Sequence, residues 1–104
     1  MISEEVDKFI RQYFDPYMLR RKVMSQIREA EIIIRSMGYE LTPDVILEAL
    51  KIVVDITEYQ SKWSIDLYPF QIRKTLDSGV LKRHIIEHYR IEEIKKKLRE
   101  KSLK

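Results

Sequence analysis

Thr42 to Tyr59 reads T-P-D-V-I-L-E-A-L-K-I-V-V-D-I-T-E-Y, the most apolar run in the chain. Its edge is punctuated like a helix start. Thr42 can cap with its hydroxyl, Pro43 suits the first helical position, and Asp44 favours the positive end of the helix dipole. Val45, Ile46, Ala49, Leu50, Ile52, Val53 and Ile56 then cover more than a narrow stripe. A helix apolar around so much of its circumference is buried against several neighbours. This stretch is the expected central helix.

The segments before it carry equally legible patterns. Ser3-Glu4-Glu5 is a helix start, and Val6, Phe9, Ile10, Tyr13 and Phe14 recur at helical spacing. Asp15-Pro16 closes that helix and opens a second, which runs to about Met37 and would span about 33 Å at 1.5 Å per residue. Leu19, Val23, Ile27, Ala30, Ile34 and Met37 share one face of it. Gly38 supplies the left-handed residue that ends many helices. The second and central helices are expected as antiparallel neighbours.

After Tyr59 the pattern loosens. Trp63 to Pro69 has a proline and no helical period, which predicts a loop or short turn whose Trp, Leu and Tyr tuck onto the core. A short helix, Phe70 to Leu76, is stopped by Asp77-Ser78-Gly79. The last stretch, Val80 to Lys104, has helical composition but a divided stripe. Leu81, Ile85 and Tyr89 lie on one side; Ile91, Ile94 and Leu98 lie roughly 150° further round. One straight helix cannot point both sets at one core. Either the helix breaks near Arg90, or residues 91–104 leave the domain of residues 1–90 and pack elsewhere. The fold expected is all-α, a compact irregular bundle of four to five helices with a basic C-terminal helix.

The 104 residues suffice for one domain, and the absence of cysteine excludes disulfides and Cys-based zinc sites. The first residues lack a signal-peptide pattern, and the longest charge-free run, residues 67–72, is far short of the roughly 20 needed to span a bilayer. The expectation is a cytoplasmic protein with no membrane partner. Charged residues make up 36% of the chain and asparagine is absent, a bias of thermophile proteins that points to an archaeal or viral source in a hot environment. The net charge of +3 is unevenly spread: residues 39–57 carry −3, and residues 81–104 carry +5.

Two strings invite comparison with known sites. His84-Ile85-Ile86-Glu87-His88 is an H-x-x-E-H, which resembles the zinc-binding string of inverzincin peptidases. That family also requires a carboxylate well downstream on another element, and only sixteen residues follow, all in one basic tail, so neither histidine is expected to be catalytic or to hold zinc. Phe70 to Arg83 resembles the recognition helix and first wing strand of winged-helix DNA-binding domains, which implies Gln71, Arg73, Lys74 and Thr75 at a groove and Lys82 and Arg83 on phosphate. Against it, Val80 to Ile91 does not alternate as a strand does.

The third feature is charge. On a continuous helix Arg83, Arg90, Lys97, Lys101 and Lys104 fall within roughly 60° of one another. With Arg20, Arg21 and Lys22 they could form a phosphate-tracking surface. Only Gly38 and Gly79 exist, each placed as a helix stop, so no phosphate loop forms, and no nucleophile motif, cofactor site or small-molecule site is recognisable. The expected function is a small non-catalytic binding module. Nucleic acid would meet Arg73, Lys74, Lys82, Arg83, Arg90, Lys97, Lys101 and Lys104. The alternative is a helical subunit or adaptor whose Ile91, Ile94 and Leu98 dock a protein partner or a second copy. A winged-helix regulator is the third reading.

Overall fold

The computed structural model describes residues 3–15 and 17–102. Among the described residues its architecture is an all-α bundle of five α-helices: α1 (Glu4–Tyr13), α2 (Tyr17–Ser36), α3 (Pro43–Gln60), α4 (Tyr68–Asp77) and α5 (Val80–Ser102), with a 3-10 turn at Ile65–Leu67. Each boundary has a local cause. The Ser3 hydroxyl accepts the Val6 N–H at 3.2 Å, and three carboxylates fill the first turn of α1. Gly38, at φ +89°, ends α2 in a Schellman motif: the Tyr39 N–H returns to Ile34 O and the Gly38 N–H to Arg35 O. Gly79, at φ +78°, makes the reversal between α4 and α5.

The core collects the expected faces. Val6 and Ile10 come from α1 and Phe14 from its C-cap, and Leu19, Val23, Ile27, Ala30 and Ile34 from α2. Helix α3 buries Val45, Ile46, Ala49, Leu50, Val53, Val54 and Thr57, while Ile52 and Ile56 are only half-buried. Ile72 and Leu76 of α4 join Leu81, Ile85, Ile86 and Tyr89 of α5.

The packing order differs from expectation. Helix α2 lies chiefly on α5, and α3 chiefly on α4 and α5; α2 and α3 make little close approach. The buried stripe of α5 is the reason, because it offers apolar side chains to both. Successive contacts show that α2 and α5 run in the same direction: Lys22 to Asp77 beside the start of α5, Gln26 and Glu29 to Lys82, then Tyr39 to Tyr89. Helix α5 is antiparallel to α3, since Val80 and His84 lie beside Ile56 while Ile91 lies beside Val45.

Three polar arrangements fix these neighbours. Gln26 on α2 donates to the Leu76 carbonyl at 2.7 Å and accepts the Lys82 N–H at 3.4 Å, serving the end of α4 and the start of α5 together. The buried hydroxyls of Thr57 and Thr75 stand 3.3 Å apart, each donating to a carbonyl one turn back in its own helix. At the other end, the Tyr89 hydroxyl accepts the Thr42 N–H at 3.1 Å and donates to Glu40 O at 2.9 Å. Thr42 does occupy the N-cap position, but its side chain makes no capping bond; the Tyr89 hydroxyl takes one of the backbone donors there.

Two stability measurements check this account. Leu50 is fully buried, so Leu50→Ala should cost roughly 2–5 kcal/mol in urea unfolding. A loss under about 1 kcal/mol would mean that α3 is not central. Tyr89→Phe keeps the ring but leaves the Thr42 N–H and Glu40 carbonyl without this partner. It should cost about 1–3 kcal/mol.

Candidate functional site: the projecting half of the C-terminal helix

Helix α5 runs without a break from Val80 to Ser102, which rules out the expected alternative of a kink near Arg90. No glycine or proline follows Gly79, so nothing in the backbone interrupts it. The helix would be about 34 Å long at 1.5 Å per residue. Its first half is clamped between α2 and α3, and Tyr89 is its last buried side chain. Beyond that point the exposed apolar residues are Ile91 (50%), Ile94 (57%) and Leu98 (61%). They lie on the side turned away from Leu81, Ile85 and Tyr89, as their spacing predicts. The molecule is correspondingly elongated, 56 × 28 × 21 Å.

A basic row runs beside this face. Arg83, Arg90, Lys97 and Lys101 are all exposed and, among the described residues, form no ion pair with a carboxylate. The Arg83 guanidinium donates to Ser78 O at 3.2 Å. Lys82 points elsewhere: it is half-buried and reaches Glu29 of α2 at 3.3 Å. Arg73 and Lys74 are exposed on α4, and Lys74 shares a cleft of about 290 Å³ with Arg83 and His84. Lys104 lies outside the described residues. The α2 cations do not extend the row. Lys22 is held by Asp77 at 2.6 Å, Arg20 packs on the Tyr17 ring, and that end of the bundle is about 25–30 Å along α5 from Lys97.

The winged-helix resemblance does not survive. Val80 opens a helix where a wing strand was implied, and no strand occurs among the described residues. Thr75, implied at a groove, is buried against Thr57, and Gln71 is half-buried.

His84 and His88 border a cleft of about 270 Å³ between α3 and α5, with Val45, Glu48, Ile52 and Ile91 on its walls. Among the described residues, no group of three or more His, Cys, Asp or Glu side chains is placed to hold a metal. No described helix is long and apolar enough to cross a membrane.

One surface was missed. Trp63 is 85% exposed rather than tucked onto the core, and Tyr59, Ile65, Leu67 and Phe70 are exposed near it in the chain. The Lys62 ammonium sits 4.3 Å from the Tyr59 ring centre and 5.2 Å from that of Trp63, a cation–π arrangement. A depression of about 660 Å³ between α1 and this segment is lined by Tyr13, Glu58, Ser61, Ile65 and Tyr68. Of these apolar and aromatic side chains Tyr13 and Tyr68 meet the core, and burial, then the Glu58 charge, push the Tyr68 phenol above its ordinary pKa. The missing helical period over Trp63 to Pro69 was the available signal; it marks residues that no helix face obliges to point inward.

Purified protein should carry no stoichiometric zinc. Elemental analysis finding one zinc per chain, lost in His88→Ala, would contradict the placement of His84 and His88. No protein-family model matches the chain, and neither does any curated protein or solved structure.

Proposed function

We propose that the protein is a non-catalytic helical binding module that docks a protein partner along the projecting half of α5. The observation that carries this reading is the face of Ile91, Ile94 and Leu98, held in helical conformation yet half or more exposed. A helical segment this short is marginal in water, and most of a helix's stability comes from covering its apolar face. The bundle borders Ile91 along the cleft beside Val45 and Ile52, but among the described residues it buries no α5 side chain beyond Tyr89. A partner does.

Contact with nucleic acid is the second reading, favoured by the unpaired row of Arg83, Arg90, Lys97 and Lys101. It ranks second because phosphate would engage the cations and leave the adjacent apolar face wet. Glu87, Glu93 and Glu100 on the same helix also dilute the field.

Truncation after Arg90 tests the proposal. The shortened chain should keep its melting temperature and lose, in pull-down from nuclease-treated native lysate, a protein that the full chain retains. A loss of several kcal/mol in the monomer would place the tail in its own core and contradict docking. If nuclease releases everything bound, with affinity falling at a log–log salt slope of about −0.9 per phosphate neutralised on duplex, nucleic acid takes first place.

A further inference from the structure

The apolar face and the basic row of α5 are two parts of one pattern. Ile91, Ile94 and Leu98 follow the 3-4 spacing of a heptad seam, occupying its a, d and a positions. Counted in the same frame, Arg83, Arg90 and Lys97 are seven residues apart and occupy successive g positions, while Lys95 is the e position between the two seam turns. By helical arithmetic the row lies about 75° from the seam, near enough to border whatever covers it. Of these cations only Lys95 meets a carboxylate, Glu92 at 3.8 Å and exposed to solvent.

We infer that the occupant of this face is an amphipathic helix of another protein whose seam is flanked by carboxylates. The inference rests on the docking reading above and names the chemistry of the partner. A second copy of the chain is disfavoured by its own charges. Paired in parallel, the g residue Arg90 would face the other copy's Lys95. Paired antiparallel, g residues face each other, bringing Arg90 against Lys97. Both orientations place cations opposite cations across a seam only two turns long, which works against association. A helix with Glu or Asp at its flanks turns the same positions into ion pairs, while its Leu or Ile side chains cover Ile91, Ile94 and Leu98. One ligand then uses both features, where phosphate alone would use only the row.

Binding of two synthetic 21-residue peptides to the full-length chain, followed by fluorescence anisotropy at about 0.15 M salt, tests this. Both carry Leu at a and d; one has Glu and the other Lys at every e and g. The Glu peptide should bind about tenfold tighter or more, a few exposed ion pairs being enough for that ratio. Arg90→Glu/Lys97→Glu should reverse the preference, a gain that loss of folding cannot mimic. Ile94→Asp should abolish binding of the Glu peptide, with the helical circular dichroism of the bundle retained. Equal affinity for both peptides, abolished by Ile94→Asp, would overturn the acidic partner and leave the docking face standing. Binding of neither peptide would overturn the inference; if the truncated chain also retains every lysate partner, the docking reading fails with it. Binding of the Glu peptide that survives Ile94→Asp would place the contact elsewhere and overturn both. A salt-sensitive complex with a 20-base-pair duplex, in the absence of peptide binding, would give the face to nucleic acid. Self-association in sedimentation velocity, lost in Ile94→Asp, would give it to a second copy.

Discussion

Tyr89 is where the bundle closes. Its ring is buried beside Tyr39, and its hydroxyl ties the turn between α2 and α3 to α5 through Thr42 and Glu40. Up to that residue α5 presents one stripe, Leu81, Ile85, Ile86 and Tyr89, to helices on both sides. A straight helix keeps each stripe on a fixed side. When the next apolar residues fall on the opposite side, the helix can only carry them away from the core. The projecting half of α5 is a geometric consequence of where the stripe changes sides.

The bundle holds its neighbours by apolar burial and a few well-placed polar groups more than by surface charge. The side chains of Val23, Ile34, Ile46, Leu50, Val53, Leu76, Leu81 and Ile85 are fully buried, each contributing roughly 1.5–3 kcal/mol by transfer. Gln26 and Tyr89 add direction, because each satisfies backbone groups at helix ends that would otherwise lack partners. The ion pairs Arg11–Asp7, Lys22–Asp77, Arg35–Glu31 and Lys82–Glu29 are mostly solvent-exposed and contribute at most about 1 kcal/mol each.

Much of this was legible in the order of residues. The faces of α1 and α2 follow single apolar stripes, and Gly38 stops α2 because it alone takes φ +89° without strain. The division of the α5 stripe was readable too; whether the helix would bend was not, since a kink depends on packing as well as on backbone chemistry. Helix partners were harder. Apart from the exposed side of Asp44, Glu48, Lys51, Asp55 and Glu58, α3 is apolar over too wide an arc to name one neighbour, and the insertion of α5 beside α2 emerges only in three dimensions. Trp63 was misjudged because hydrophobicity alone does not bury a side chain; Lys62 covers one part of its ring and solvent the rest. In the basic row, type and spacing located Arg83, Arg90, Lys97 and Lys101, while the commitment of Lys22 to Asp77 and Lys82 to Glu29 required the contacts across helices.

Helix α5 is one helix of two characters, buried in its own bundle as far as Tyr89 and half or more exposed along Ile91, Ile94 and Leu98. Amide hydrogen exchange on the dilute, isolated chain measures this directly, because protection follows burial and local contact density. Residues 81–89 should exchange only with unfolding of the whole bundle, and residues 93–102 should exchange orders of magnitude faster by local fraying. Equal, slow exchange along the entire helix in a monomer would show the far half packed against its own domain and contradict the account.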